Sequence, residues 1–175
     1  MDTIITITQV LIVLIALLLT IAFFKRRNYY VSREIIVNLS EQKVFDYLKQ
    51  LKNQDSFNKW VMVEPDMQKT FKGIDGTIGF IYGWNGKKAG EGEQEIKMLE
   101  ENKRIQTEIR FERPFKAIGH VNFIVEHISE NQTKVIWSNE SRMKYPINLM
   151  IGTIEKMLAK DMDTSLSTLK KLLEK

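Results

Sequence analysis

Apolar residues run almost unbroken from Ile4 to Phe24 (IITITQVLIVLIALLLTIAFF), with Thr6, Thr8, Gln9 and Thr20 as the polar exceptions and no charge. These 21 residues, rising about 1.5 Å each, cover roughly 30 Å, the thickness of a bilayer's hydrocarbon layer. From Val10 to Leu19 every face of the helix is apolar, which suits lipid better than a half-buried position in a soluble core. The pattern predicts one transmembrane helix. It stops at Lys25-Arg26-Arg27, whereas Asp2 and the α-amino group are the only charges before it. By the positive-inside rule the chain is expected to be a single-pass membrane protein with its C-terminal domain in the cytoplasm. A cleavable signal peptide is the alternative, but it calls for a basic start and small residues at the cut. This chain has Asp2 and Phe23-Phe24 at those places. Residues 1–27 are thus expected to form an anchor with its basic flank, and residues 28–175 one domain.

After the anchor the period changes to two. Val31, Arg33, Ile35 and Val37 alternate with Tyr30, Ser32, Glu34 and Ile36, predicting a strand over Tyr29 to Val37. Ser40 is placed to cap a helix in which Val44, Phe45, Leu48 and Leu51 share a side. A second short helix is expected from about Ser56 to Trp60, capped by Asp55. Residues 66–144 then predict a meander of antiparallel strands. Ile78, Phe80, Tyr82 and Trp84 alternate over Thr77 to Trp84, and Asn85-Gly86 is a type I′ hairpin signal. Further strands are expected over Gly90 to Leu99, Arg104 to Glu112, Ile118 to Ile128 and Thr133 to Met143. Their inward faces carry Ile105, Thr107, Ile109 and Phe111, then Val121, Phe123 and Val125, then Val135, Trp137, Asn139 and Ser141. Beyond Pro146 the spacing turns helical, from Ile147 to Leu173, and predicts an amphipathic helix of seven to eight turns.

Composition narrows the chemistry. The chain has no cysteine, which excludes disulfides, thiolate metal sites and a cysteine nucleophile. Its formal charge is +4; without the three cations after the anchor and Asp2, the domain carries 23 basic against 21 acidic residues. No stripe concentrates that excess, so nucleic acid is not expected as a partner. A weak attraction to an anionic membrane surface is. No phosphate-binding loop, dinucleotide fingerprint, serine-hydrolase elbow or H-E-x-x-H zinc motif occurs. His120 and His127 have opposite strand parity and make a poor metal site, so neither a metal nor a cofactor is expected. Glu91, Glu93 and Glu95 fit a solvated sheet face, and Arg110, Glu112, Glu140 and Arg142 fit cross-strand ion pairs.

The order strand, two short helices, about six strands and a long helix implies a twisted meander whose concave face is covered by the terminal helix. From Tyr30 to Lys175 the chain resembles the START-like helix-grip superfamily in its polyketide-cyclase-like (SRPBCC) branch. The resemblance rests on Ser40 to Leu48 after the first strand, on Trp60, and on Trp84-Asn85-Gly86 through Gly90-Glu91-Gly92. It also rests on Thr133 to Trp137 and on DMDTSLSTLKKLLE from Asp161 to Glu174, where Ser165 stands at a position the family often gives to glycine. It implies an α+β helix-grip fold, with a curved sheet of about seven antiparallel strands wrapped on the C-terminal helix around an apolar pocket. Members bind lipids, hormones, polyketides or quinone-like molecules, and some are enzymes. The expected ligand is a membrane lipid or another apolar small molecule. Trp60, Phe80, Tyr82, Trp84, Phe111, Phe123, Trp137, Met143, Met150 and Ile154 are expected to line the pocket. No catalytic residue is assigned. A cyclase or dehydratase acting in the same pocket is the alternative, for which His127, Glu140 and Tyr82 are the candidates. A regulatory domain with a filled core is the other.

Overall fold

The computed structural model describes residues 2–175. Helix α1 (Asp2–Phe24) is followed by strand β1 (Asn28–Val37), helix α2 (Glu41–Lys49), a 3₁₀ turn (Leu51–Ser56) and helix α3 (Lys59–Met62). Six strands come next: β2 (Gln68–Lys72), β3 (Ile81–Asn85), β4 (Glu91–Glu100), β5 (Arg104–Arg113), β6 (Ala117–Ser129) and β7 (Gln132–Arg142). A second 3₁₀ turn (Ile147–Met150) leads into α4 (Ile151–Leu173). All seven strands form one antiparallel sheet in the order β1-β7-β6-β5-β4-β3-β2. Every neighbour except β1 on β7 is thus the next strand in sequence, as a meander requires.

The alternation of the strands sets the core. Val121, Phe123 and Val125 from β6 and Val135 and Trp137 from β7 pack against Met162, Leu166 and Leu169 of α4 and Val44, Phe45 and Leu48 of α2. Burying each large side chain of this set contributes about 1.5–3 kcal/mol. A smaller cluster of Leu51, Phe80, Tyr82 and Ile96 closes the β3–β4 end.

Four local expectations are corrected. Ser40 stands at the start of α2, but its hydroxyl makes no capping bond. The cap of α3 is Asn58, whose side chain accepts from the Trp60 N–H, because Asp55 is engaged elsewhere by Tyr82 and Lys69. The strand expected from Thr77 begins only at Ile81. Gly73, Gly76 and Gly79 all have positive φ, so the chain coils there, and Ile78 is exposed. The Asn85-Gly86 turn is not a two-residue hairpin either: Asn85 still pairs with Glu91, and Gly86 to Gly90 form a five-residue loop. Its cause is Glu64, whose carboxylate accepts from the N–H groups of Lys87, Lys88 and Ala89 at 2.8–3.0 Å and organises a wider loop than the dipeptide alone would choose.

Helix α1 is long and apolar enough to cross a membrane, and its hydrophobic window is not buried by the domain. Only its end is docked. Ala22 is fully buried, and the amide of Asn148, also fully buried, donates to the carbonyls of Ala22 (2.7 Å) and Lys25 (3.1 Å). The Tyr145 hydroxyl reaches the Leu19 carbonyl at 3.4 Å. Lys25 Nζ donates to the Leu149 carbonyl at 2.9 Å, and Arg26 pairs with Glu155 at 2.6 Å. The 3₁₀ turn before α4 therefore caps a helix more than 100 residues away in sequence, satisfying carbonyls that a helix end leaves open.

Candidate functional site

Between the sheet and the helices lies a cavity of about 280 Å³. Strand β3 supplies Tyr82 and Trp84, β5 supplies Ile109 and Phe111, α3 supplies Trp60 and Val61, and α4 supplies Leu158. The Trp84 indole meets Phe111 edge-on, with ring centroids 5.8 Å apart. It lies across Gly92: a Cβ there would sit 2.7 Å from the indole and 2.6 Å from the Arg110 carbonyl. Glycine at 92 is what lets the ring lie against the sheet.

Trp60 is fixed from both sides. Its ring packs edge-on against Trp137 at 5.6 Å, and its indole N–H donates to Asp161 Oδ2 at 3.1 Å. The other Asp161 oxygen takes Lys59 Nζ at 2.5 Å, and the Ser165 hydroxyl accepts from the Lys59 N–H while donating to the Asp161 carbonyl. Asp161 and Ser165 thus clip α3 to α4.

One end of the cavity is polar. The buried Asn58 amide donates to Gln54 Oε1 (2.8 Å), Gln54 donates to Gln94 Oε1 (3.2 Å), and Gln94 donates to Thr107 Oγ1 (2.8 Å). A carboxamide has two N–H donors, so each of these three has one left over. Asn139 accepts from the Tyr29 hydroxyl at 3.4 Å and also faces the cavity. The Tyr82 hydroxyl is committed to Asp55 Oδ1 at 2.6 Å, and Lys69 neutralises the other oxygen at 2.8 Å. Burial, reinforced by the adjacent Asp55 carboxylate, pushes the Tyr82 phenol far up, so it stays protonated. Burial raises the Tyr29 phenol as well, against the lowering effect of a bond with Ser141. Among the described residues the wall thus combines apolar rings with surplus amide donors, an arrangement suited to an apolar molecule carrying one or two acceptor oxygens.

The structure brings Trp60, Tyr82, Trp84 and Phe111 together at this wall. Phe80 lies in the smaller cluster beside Leu51 and Ile96. Phe123 and Trp137 stack on each other at 4.9 Å inside the main core. Met143 lines a different, surface groove, Met150 is exposed, and Ile154 is half-buried on α4 outside the cavity wall. Gln54, Asn58, Gln94 and Asn139 have no counterpart in the sequence reading of the pocket. His127, which shares the strand parity of Val121, Phe123 and Val125, is nonetheless exposed at the end of β6, 3.6 Å from Glu41, because burial along β6 stops at Val125 and the last four residues of the strand all reach solvent. Glu140 is also exposed, on the outer face. On that face Arg110 pairs with Glu93, Glu95 and Glu108, and Glu112 with Lys116, rather than either pairing with Glu140 or Arg142.

No family model and no curated protein matches the chain. Solved structures do. A Helicobacter pylori protein of undetermined role is similar with a TM-score of 0.64 at 14% identity, over 83% of this chain and 88% of that one. Norcoclaurine synthase from Thalictrum flavum, solved with dopamine and hydroxybenzaldehyde, gives 0.58 at 12% identity over 81% and 86%. The chain has the helix-grip fold. DynU16, from the dynemicin biosynthetic locus, matches with a TM-score of 0.59 at 13% identity over 83% of this chain, which spans only 47% of DynU16. At such identities the likeness extends to the helix-grip architecture and not to chemistry.

Proposed function

We propose that this chain is a single-pass membrane protein whose cytoplasmic domain, of the polyketide-cyclase-like kind, binds an apolar small molecule or lipid in the cavity between β3, β5, α3 and α4. One observation carries the reading: about 280 Å³ of space walled by Trp60, Tyr82, Trp84, Ile109, Phe111 and Leu158. The space is partly open to solvent and far exceeds what a single water needs, so the sheet and helices do not close on one another there. It favours a binder over a domain with a filled core. Burial of the ligand's apolar surface supplies the affinity at about 25 cal/mol per Å², less the ordering cost. The spare amide hydrogens of Gln54, Asn58 and Gln94 supply orientation. The basic flank Lys25-Arg26-Arg27 supports the cytoplasmic placement. That norcoclaurine synthase holds small aromatic molecules on this fold agrees with a compact organic ligand.

The test is native mass spectrometry of the full chain released from lipid nanodiscs. A one-to-one apolar adduct is expected, and Leu158→Trp, which fills the cavity, is expected to abolish it while leaving the circular dichroism unchanged. A wild-type chain that is empty after release, and remains empty after incubation with apolar ligands, would overturn the proposal.

A further inference from the structure

A second depression of about 680 Å³ lies where β5, β6 and β7 run out, beside the end of α1. Its walls carry Arg27, Lys116, Arg142 and Lys144. Arg110 and Glu112 also line it, but Arg110 is matched by three glutamates and Glu112 by Lys116. Arg27, Arg142 and Lys144 take part in no ion pair among the described residues. Three uncompensated cations in one groove attract an anion.

Position says which anion. Arg27 is three residues past the last residue of α1, and Met143 donates its backbone N–H to the Arg27 carbonyl at 2.8 Å. Tyr145, another groove residue, reaches the Leu19 carbonyl, five residues inside the helix and so about 7 Å back along it. A half-exposed tyrosine whose hydroxyl dips about one and a half turns below the helix end, with basic side chains grouped around that end, matches the boundary between headgroups and hydrocarbon of a bilayer whose core holds α1. The apolar side of the groove is set by Ile118 and Met143, with Phe115 exposed on the adjoining β5–β6 turn.

The groove also adjoins the cavity. Phe111 lines both. By strand parity Arg142 and Ile118 stand on the outer face of the sheet, while Phe111, Ala117 and Met143 stand on the inner one. The groove therefore crosses the rim of the sheet from the charged side to the concave side, and Phe111 forms the partition between the two spaces. From this geometry we infer that the ligand is an anionic membrane lipid: its phosphate or carboxylate head sits among Arg27, Arg142 and Lys144, and one chain passes Phe111 into the cavity.

This assignment rests on the cavity reading above, and a single experiment separates their fates. The full chain is placed in nanodiscs of equal phosphatidylglycerol and phosphatidylcholine, and the retained lipid is identified by native mass spectrometry. Wild type is expected to retain phosphatidylglycerol over phosphatidylcholine by about tenfold or more, given the pull of several basic groups on one anionic head. Arg142→Gln with Lys144→Gln is expected to bring the ratio to about one, while Arg142→Lys with Lys144→Arg keeps it. Equal retention of both lipids by wild type, or a preference untouched by the glutamine pair, overturns the headgroup site and leaves the cavity reading standing. A wild type that retains neither lipid but takes up a neutral apolar molecule also overturns the headgroup site alone. A chain that binds nothing apolar overturns both.

Discussion

The Glu64 carboxylate receives backbone N–H groups from Ala89, Lys87 and Lys88, and these bonds hold its pKa below the ordinary 4.5. A carboxylate held low in the folded state contributes stability that is fully present above its unfolded value and is lost as the pH falls through the lower, folded one. The Gly86–Gly90 loop should accordingly keep its amide protection from neutral pH down past 4.5 and lose it only in more acid solution. Glu64→Gln should raise hydrogen exchange at Lys87, Lys88 and Ala89 at neutral pH, as read by mass spectrometry or NMR. Unchanged protection in the variant would remove Glu64 as the organiser. The residue scale is also where the sequence was least legible. Tyr82, Trp84 and Phe111 stood out because strand alternation points them inward. Gln54, Asn58 and Gln94 did not, since uncharged amides look like surface positions until three of them interlock. Asp55 looked like a cap, and its true partners, Tyr82 and Lys69, lie 27 and 14 residues away. No local spacing rule reaches that far.

Among the elements, the short 3₁₀ turn at Ile147–Met150 does more than introduce α4. Asn148 at its centre is fully buried and donates to the open carbonyls at the end of α1. Asn148→Ala should leave those carbonyls without a donor, costing about 1–3 kcal/mol in this buried setting. The expected readout is faster exchange of the Met143 amide, which bonds to Arg27, and broader distances between spin labels on α1 and on the domain. Unbroadened distances would argue that Tyr145, Lys25 and Arg26 suffice. At this scale the sequence predicted five of the seven strands and both long helices closely, because each carries a sustained period of two or of 3.6, while the five-residue β2 is too short to stand out and received no range. It over-extended β3 because the three glycines at 73, 76 and 79 adopt positive φ. It joined the 3₁₀ turn to α4 because a 3₁₀ turn shares the helix's spacing over only four residues.

For the whole molecule, the order from β2 to β7 followed from the meander pattern, whereas the pairing of β1 with β7 did not, and the covering role of α4 followed from its being the only long amphipathic helix left to cover the sheet. What the pattern did not contain was the relation between α1 and the domain. Only Lys25, Arg26 and Arg27 separate α1 from β1, and the contacts of Tyr145, Asn148 and Glu155 join the two into one piece. The protein is in that sense a bracket bolted to its post, with no swivel. Each added residue in a helix turns everything after it by about 100°. One alanine inserted after Phe23 should therefore swing the Arg142–Lys144 side away from its present bearing or tear the joint, whereas four should restore the bearing and merely lift the domain by about 6 Å. Lipid retention measured across a series of one to four insertions should fall and then recover with that periodicity, and a monotonic decline would mean that the joint is loose.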